Sequence, residues 1–279
     1  MLGFSGTLVA TRAAVADFSP LTITSGRIVI SALLAAITLL LMGKMRLPER
    51  RFILSLLWMG LGLAVGFPFF LALALESVPA AHGAVAIGLA PAATAIFSFA
   101  RTGERPPIGF WIASAIGFAG VFYFALDAGG GHLSLADGWL FLAIVFVGSA
   151  YVEGGRISGE MGGMAALSWA MLFLAPAASV QLIWSVQDIP LATISWGSWA
   201  AMAYLGFISM FLASVFWYRG LAAGGIARIG QINLLLPLVA LASSAIVLDE
   251  EITTTAVVCA TVVFAAMMAC LRSRVQSRQ

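Results

Sequence analysis

Charge is what this chain has least of. Only 9% of its 279 residues are charged, against 62% that are hydrophobic. A soluble protein of this size needs far more polar surface to stay in solution, so that class is excluded. Cysteine and histidine are scarce as well, with two of each. Cys259 and Cys270 fall in one expected helix, eleven residues apart. That is about 16 Å of helical rise, too far for a disulfide. His82 and His132 are scattered among positions that offer no further ligands, so no metal site is expected. No connection is long enough to hold a catalytic or nucleotide-binding domain, and no cofactor is implied. The net charge of +2 gives no reason to expect a nucleic-acid partner. The N-terminus starts in apolar sequence without a basic segment, so no cleavable signal peptide is expected.

What the chain does have is apolar runs of bilayer length, about 20 residues each, along its whole extent. They are continuous rather than alternating, which excludes a transmembrane β-barrel. The expected fold is all-α and integral to the lipid bilayer, with ten spans at about 2–16, 20–43, 52–75, 80–101, 107–126, 136–155, 163–186, 196–219, 226–248 and 252–271. Basic residues sort to one face: Lys44, Arg46, Arg50, Arg51, Arg101, Arg105, Arg156, Arg219, Arg228, Arg272, Arg274 and Arg278. Asp17, Glu76, Asp127, Asp137, Asp188, Asp249, Glu250 and Glu251 sort to the other. Basic loops stay cytoplasmic, so both termini are expected there.

The two halves share their punctuation. Pro91 precedes Glu104 as Pro237 precedes Glu250, each pair 146 residues from its counterpart. Phe70/Phe216, Ala81/Ala227, Leu89/Leu235 and Ser98/Ser244 match at the same shift. Five spans per half is an odd number, so the second half is expected to enter the membrane upside down. Residues 1–128 and 129–279 are the expected repeats, arranged around a central cavity as in many transporters.

These features resemble the drug/metabolite transporter superfamily in its EamA-type ten-helix form. The proline in the fourth and ninth spans carries the resemblance. So do the acid closing each span and the Ser19-Pro20 to Arg27 stretch of the second. The resemblance implies a carrier rather than an enzyme, moving small organic metabolites, with amino-acid exporters among its members. Trp217-Tyr218-Arg219-Gly220 is similar to the YddG-type aromatic amino-acid exporters. Ala90 and Gly148 stand where that branch carries tryptophans.

Several residues are candidates for the substrate pathway. Pro91 and Pro237 cannot donate a backbone hydrogen bond, which frees the carbonyls of Ile87 and Asn233 in surroundings where every such group needs a partner. Gln231, Asn233 and Tyr151 are polar groups expected to face the bundle interior. Trp169 and Trp217 could stack on substrate, although Trp217 and Tyr218, beside Arg219, read better as an interfacial aromatic belt. His82 reads as an interfacial group bonded to a loop, or as a gate. Glu104 and Glu250 read as end-markers of their spans. Arg12 and Arg27 could hold a substrate carboxylate, but the stronger expectation is that they snorkel or pair with Asp17. No acid is expected near the middle of a span, so the centre should suit neutral or zwitterionic cargo.

Overall fold

Helices form because a bilayer leaves each span no partner for its backbone except itself. The computed structural model describes residues 2–102, 108–128, 130–187, 189, 191–224, 236–249 and 251–272. Ten helical segments follow one another: α1 (Leu2–Ala14), α2 (Pro20–Leu41), α3 (Arg50–Leu75), α4 (Ala80–Ile87 then Ala90–Thr102), α5 (Ile108–Ala128), α6 (Leu135–Met161), α7 (Gly163–Val186), α8 (Trp196–Gly220 and on to Gly224), α9 (Leu236–Leu248) and α10 (Thr254–Arg272). No strand occurs among the described residues. Among the described residues seven helices are long and apolar enough to cross a membrane, and α9 and α10 add shorter apolar stretches. Leu33, Leu40, Ile116, Phe118, Trp184 and Ile246 are exposed on the outside, as a lipid-facing perimeter requires.

The starts are fixed by short polar side chains. Ser19 caps α2, its hydroxyl accepting from Thr22 N–H at 3.2 Å, with Pro20 as the first helical residue. Ser134 and Asp137 form a reciprocal capping box at α6. Ser195 caps α8 through Ser198 N–H. Each satisfies backbone donors that a helix end leaves open.

Two helices depart from α geometry in the middle. Leu61–Gly66 of α3 and Tyr204–Ala213 of α8 are π-helical. Pro68 follows the first segment and has no N–H for the carbonyl of Ala64, a defect that a widened turn accommodates. At the 146-residue shift its counterpart is Ser214, whose hydroxyl reaches the Ser209 carbonyl at 3.5 Å. The fourth span breaks at Gly88–Leu89, just before Pro91, with tight-turn bonds from Gly88 N–H to Val85 O and Leu89 N–H to Ala86 O.

The packing has a pattern. α2 lies along α7 and α5 along α10. α6 packs on α3 and α4, while α1 packs on α8 and α9. Glycines allow the closest approaches: a Cβ on Gly62 would stand 2.7 Å from the Phe146 carbonyl oxygen, and one on Gly148 would stand 2.9 Å from Ala93 Cβ. The second distance explains why a tryptophan is absent at 148, since α4 occupies its place.

Two spans are longer than expected by several residues. The eighth, read as ending at 219, runs on to Gly224. The sixth, read from sequence as ending at 155, continues to Met161. That draws Arg156 into the same helix as Glu153.

Candidate functional site

α3 touches three openings in turn. Near its start, Leu54, Ser55 and Trp58 line a crevice of about 350 Å³ together with Arg101 and Glu153. Midway, Leu63, Phe67 and Leu71 line a central cavity. Beyond its end, Glu76 lines a crevice of about 560 Å³ with Arg12 and Leu248. Ser55 to Glu76 is about 30 Å of helix by rise per residue, the thickness of a bilayer core. The openings therefore follow one another along α3, one toward the basic end, one midway and one toward the acidic end.

The central cavity draws on helices from both halves. Phe4 and Thr7 come from α1, Arg27 from α2, and Ile87, Ala90 and Pro91 from the break in α4. Val147 and Tyr151 come from α6, Ser209 and Met210 from the irregular part of α8, and Ser214 from just after it. Leu63 lies in one π segment and Ser209 in the other. The space is about 50 Å³, room for a few waters and well short of the roughly 150 Å³ of an apolar cavity that admits benzene. A metabolite does not fit in it as it stands.

Arg27 is the sole cationic group on this wall among the described residues. It is 2% exposed, so it does not snorkel, contrary to the sequence expectation. Nor does it pair with Asp17, which accepts from Ser195 N–H at 3.0 Å and Ser195 Oγ at 2.7 Å. The physical reason is depth. Arg27 is the eighth residue of α2, about 10 Å along the helix from its start, and it turns inward. Its Nη2 reaches Ser209 Oγ at 3.5 Å, while Nε and Nη1 have no partner among the described residues. Ser209 Oγ is also bonded to Thr7 Oγ1 at 2.7 Å. Arg12 behaves differently, with Nη1 donating to the carbonyls of Leu75 at 2.7 Å and Glu76 at 3.4 Å, where it closes the end of α3.

Sequence reading missed Glu153. It is 6% exposed and accepts from Ser55 Oγ at 2.5 Å, Arg101 Nε at 3.2 Å and Arg156 Nη2. These contacts tie α3, α4 and α6 together at the basic face. Arg156 also donates to Ser55 Oγ at 2.7 Å. The signal was present in the sequence as an acid and a base three residues apart, the spacing of neighbours on one helical face.

The other candidates divide. Pro91 and Tyr151 are on the cavity wall. Trp217 lies one layer behind it, 5.8 Å from the Tyr151 ring and 6.3 Å from that of Phe4. The belt reading of Trp217 and Tyr218 is corrected, since both are buried. Tyr218 packs where Gly154 and Gly163 leave room, so α8 meets α6 and α7 there. Trp169 is buried against Phe173, away from the cavity. His82 is buried near the acidic face, its Nε2 2.7 Å from Asp137 Oδ1. Pro237 is the second residue of α9. Gln231, Asn233, Glu104 and Glu250 lie outside the described residues.

An apolar helical bundle with a contracted cavity midway and a crevice at each face is the architecture of a membrane carrier. The family model for the EamA-like transporter family matches residues 1–126 and 134–272. The chain belongs to that family. It is 42% identical over 252 residues to the uncharacterized transporter YdeK of Bacillus subtilis (strain 168), covering 90% of this chain and 87% of the relative. A solved crystal structure superposes with a TM-score of 0.63 over 96% of this chain and 98% of its own, at 17% identity, a likeness of fold alone.

Proposed function

We propose that the protein is a secondary carrier that exports small organic metabolites, amino acids first among them, by alternating access. The observation that carries this reading is where the cavity sits: the irregular parts of three helices all contribute to its wall. Leu63 and Ser209 belong to the two π segments, and Pro91 follows the break in α4. Backbone outside regular α geometry is where a packed helix changes register or bends.

The inverted repeat, with halves 1–128 and 129–279, supports the same mechanism. Shifting Leu61–Gly66 by 146 residues puts it on 207–212, inside the second π segment. Exchanging the halves also returns the packing pattern: α6 on α3 and α4 becomes α1 on α8 and α9, while α2–α7 and α5–α10 map onto themselves. Two such halves rocking around one site open it to either face in turn. Because cargo does not fit in about 50 Å³, loading requires these segments to part.

The lining is mainly hydrocarbon with a few hydroxyls, one cation in Arg27, and no carboxylate among the described residues. That suits neutral or zwitterionic cargo with an apolar body, moved down its gradient without a central proton-carrying acid. Charge sorting supports a bacterial inner-membrane location with both termini cytoplasmic. The test is flux of labelled neutral amino acids in proteoliposomes. Uptake above that of empty liposomes is expected. If no amino acid crosses while another metabolite or a drug does, the substrate class changes and the carrier stands.

A further inference from the structure

We propose that Arg27 anchors the carboxylate of the transported molecule, a claim that rests on the central cavity being the cargo site. A buried charge is ordinarily paired and hydrogen-bonded, because an apolar interior gives it nothing in exchange for lost water. Glu153 obeys that rule with three partners. Arg27 does not: Nε and Nη1 are fully buried without a partner among the described residues, and the Nη2 contact to Ser209 is long at 3.5 Å. The Nε–Nη1 edge is unengaged and belongs to a group on the cavity wall. The missing partner is an anion that comes and goes.

The chemistry of that anion follows from the rest of the wall. A guanidinium presents paired N–H groups that match a carboxylate in bidentate fashion. One cation balances one negative charge, so a monocarboxylate fits where a phosphate dianion would leave charge uncompensated. Phe4, Leu63, Phe67 and Leu71 offer hydrocarbon to its body. Ile87 lies on the same wall, and its carbonyl, to which Pro91 has no N–H to give, is the group we assign to an ammonium. A neutral α-amino acid satisfies all three regions. A short branched or aromatic monocarboxylate satisfies two.

The experiment uses the full-length protein in detergent and four probes per side chain: leucine, its carboxamide, isopentylamine and 4-methylpentanoate, with the matching set for phenylalanine. Thermal stabilisation is titrated for wild type, Arg27→Lys and Arg27→Gln. The acids are expected to stabilise wild type at concentrations about 10–100-fold below the amide and the amine, the range of one charge-assisted interaction. Arg27→Lys should retain part of that preference and Arg27→Gln none. An unliganded melting temperature of Arg27→Gln at or above wild type shows that it is folded. Amides and amines that stabilise as well as acids overturn the proposal, as does the absence of any Arg27-dependent shift with the acids. Proteoliposome flux separates this from the carrier reading. Acid-dependent stabilisation through Arg27 without flux sinks the carrier and keeps the anchor. Leucine flux unchanged in Arg27→Gln sinks the anchor and keeps the carrier.

Discussion

Glu153 and Arg27 are both buried charges in apolar helices, and the bundle treats them oppositely. Glu153 is saturated: a hydroxyl and two guanidinium groups from three helices converge on it. Arg27 has one long contact and open donors beside a cavity. A saturated charge holds its neighbours in place, because parting them strands it. An open charge holds nothing until a ligand arrives. The first is a tie at one face of the bundle, and the second, on the proposal above, is a receptor at its centre. α6 separates them: Val147 faces the central cavity and Ser149 the crevice that Glu153 lines.

Breaking the tie should give the largest change in stability. Glu153→Ala leaves Ser55 and two arginines without their acceptor. Arg101 and Arg156 are 58% and 40% exposed and can turn to water, which limits the loss. A loss of about 3 kcal/mol is expected, nearer one strong charged interaction than the sum of three. Thermal unfolding in detergent measures it, and Glu153→Gln should recover part by keeping an acceptor. A variant as stable as wild type would remove the contrast with Arg27.

The partition comes next. A methyl on Gly148 would stand 2.9 Å from Ala93 Cβ and 3.0 Å from Thr94 N, so α4 must yield. Gly148→Ala is expected to cost about 2 kcal/mol as overpacking, read by the same melt. Arg27 should respond with the opposite sign. Arg27→Met keeps much of the side-chain volume and removes the unpartnered donors, so the empty protein should gain about 1 kcal/mol. A melt lower than wild type would show that Arg27 supports the fold and would make the two charges alike.

The sequence made some of this legible. Bilayer-length apolar runs placed the spans, and Pro91 marked the break in α4 because a missing donor has a fixed local effect. Residues whose meaning depends on distant partners were not readable. Arg27 looked like a snorkelling side chain because nothing local reveals that it turns toward Ser209, 182 residues away. Glu153-Gly154-Gly155-Arg156 looked like a helix end because two glycines and two charges usually are one. Ser55 and Arg101 supply the partners that let α6 continue. Trp217 and Tyr218 beside Arg219 looked interfacial, whereas Gly154 and Gly163 admit Tyr218 into the bundle. Pro68 marks the first π segment locally, whereas the second has no such proline in its sequence.

A third acid sets the floor of the comparison. Asp17 lies between α1 and α2 and is saturated like Glu153, but at an exposed position. Hydrogen bonds from the Ser195 hydroxyl, from Ser198 and from Ser195 N–H hold its carboxyl below the ordinary carboxylate range. With the folded value depressed, its contribution is present above the unfolded value of about 3.9 and fades as pH falls through the folded value. Between pH 5 and 8 wild type should therefore melt slightly above Asp17→Asn by a constant margin, and that margin should shrink below about pH 4. Water competes for each of these bonds at an exposed site, so the margin should be the smallest of the series. Parallel melting curves for the two proteins down to pH 3 would show that saturation alone is worth little. Burial would then be what gives Glu153 its hold on three helices.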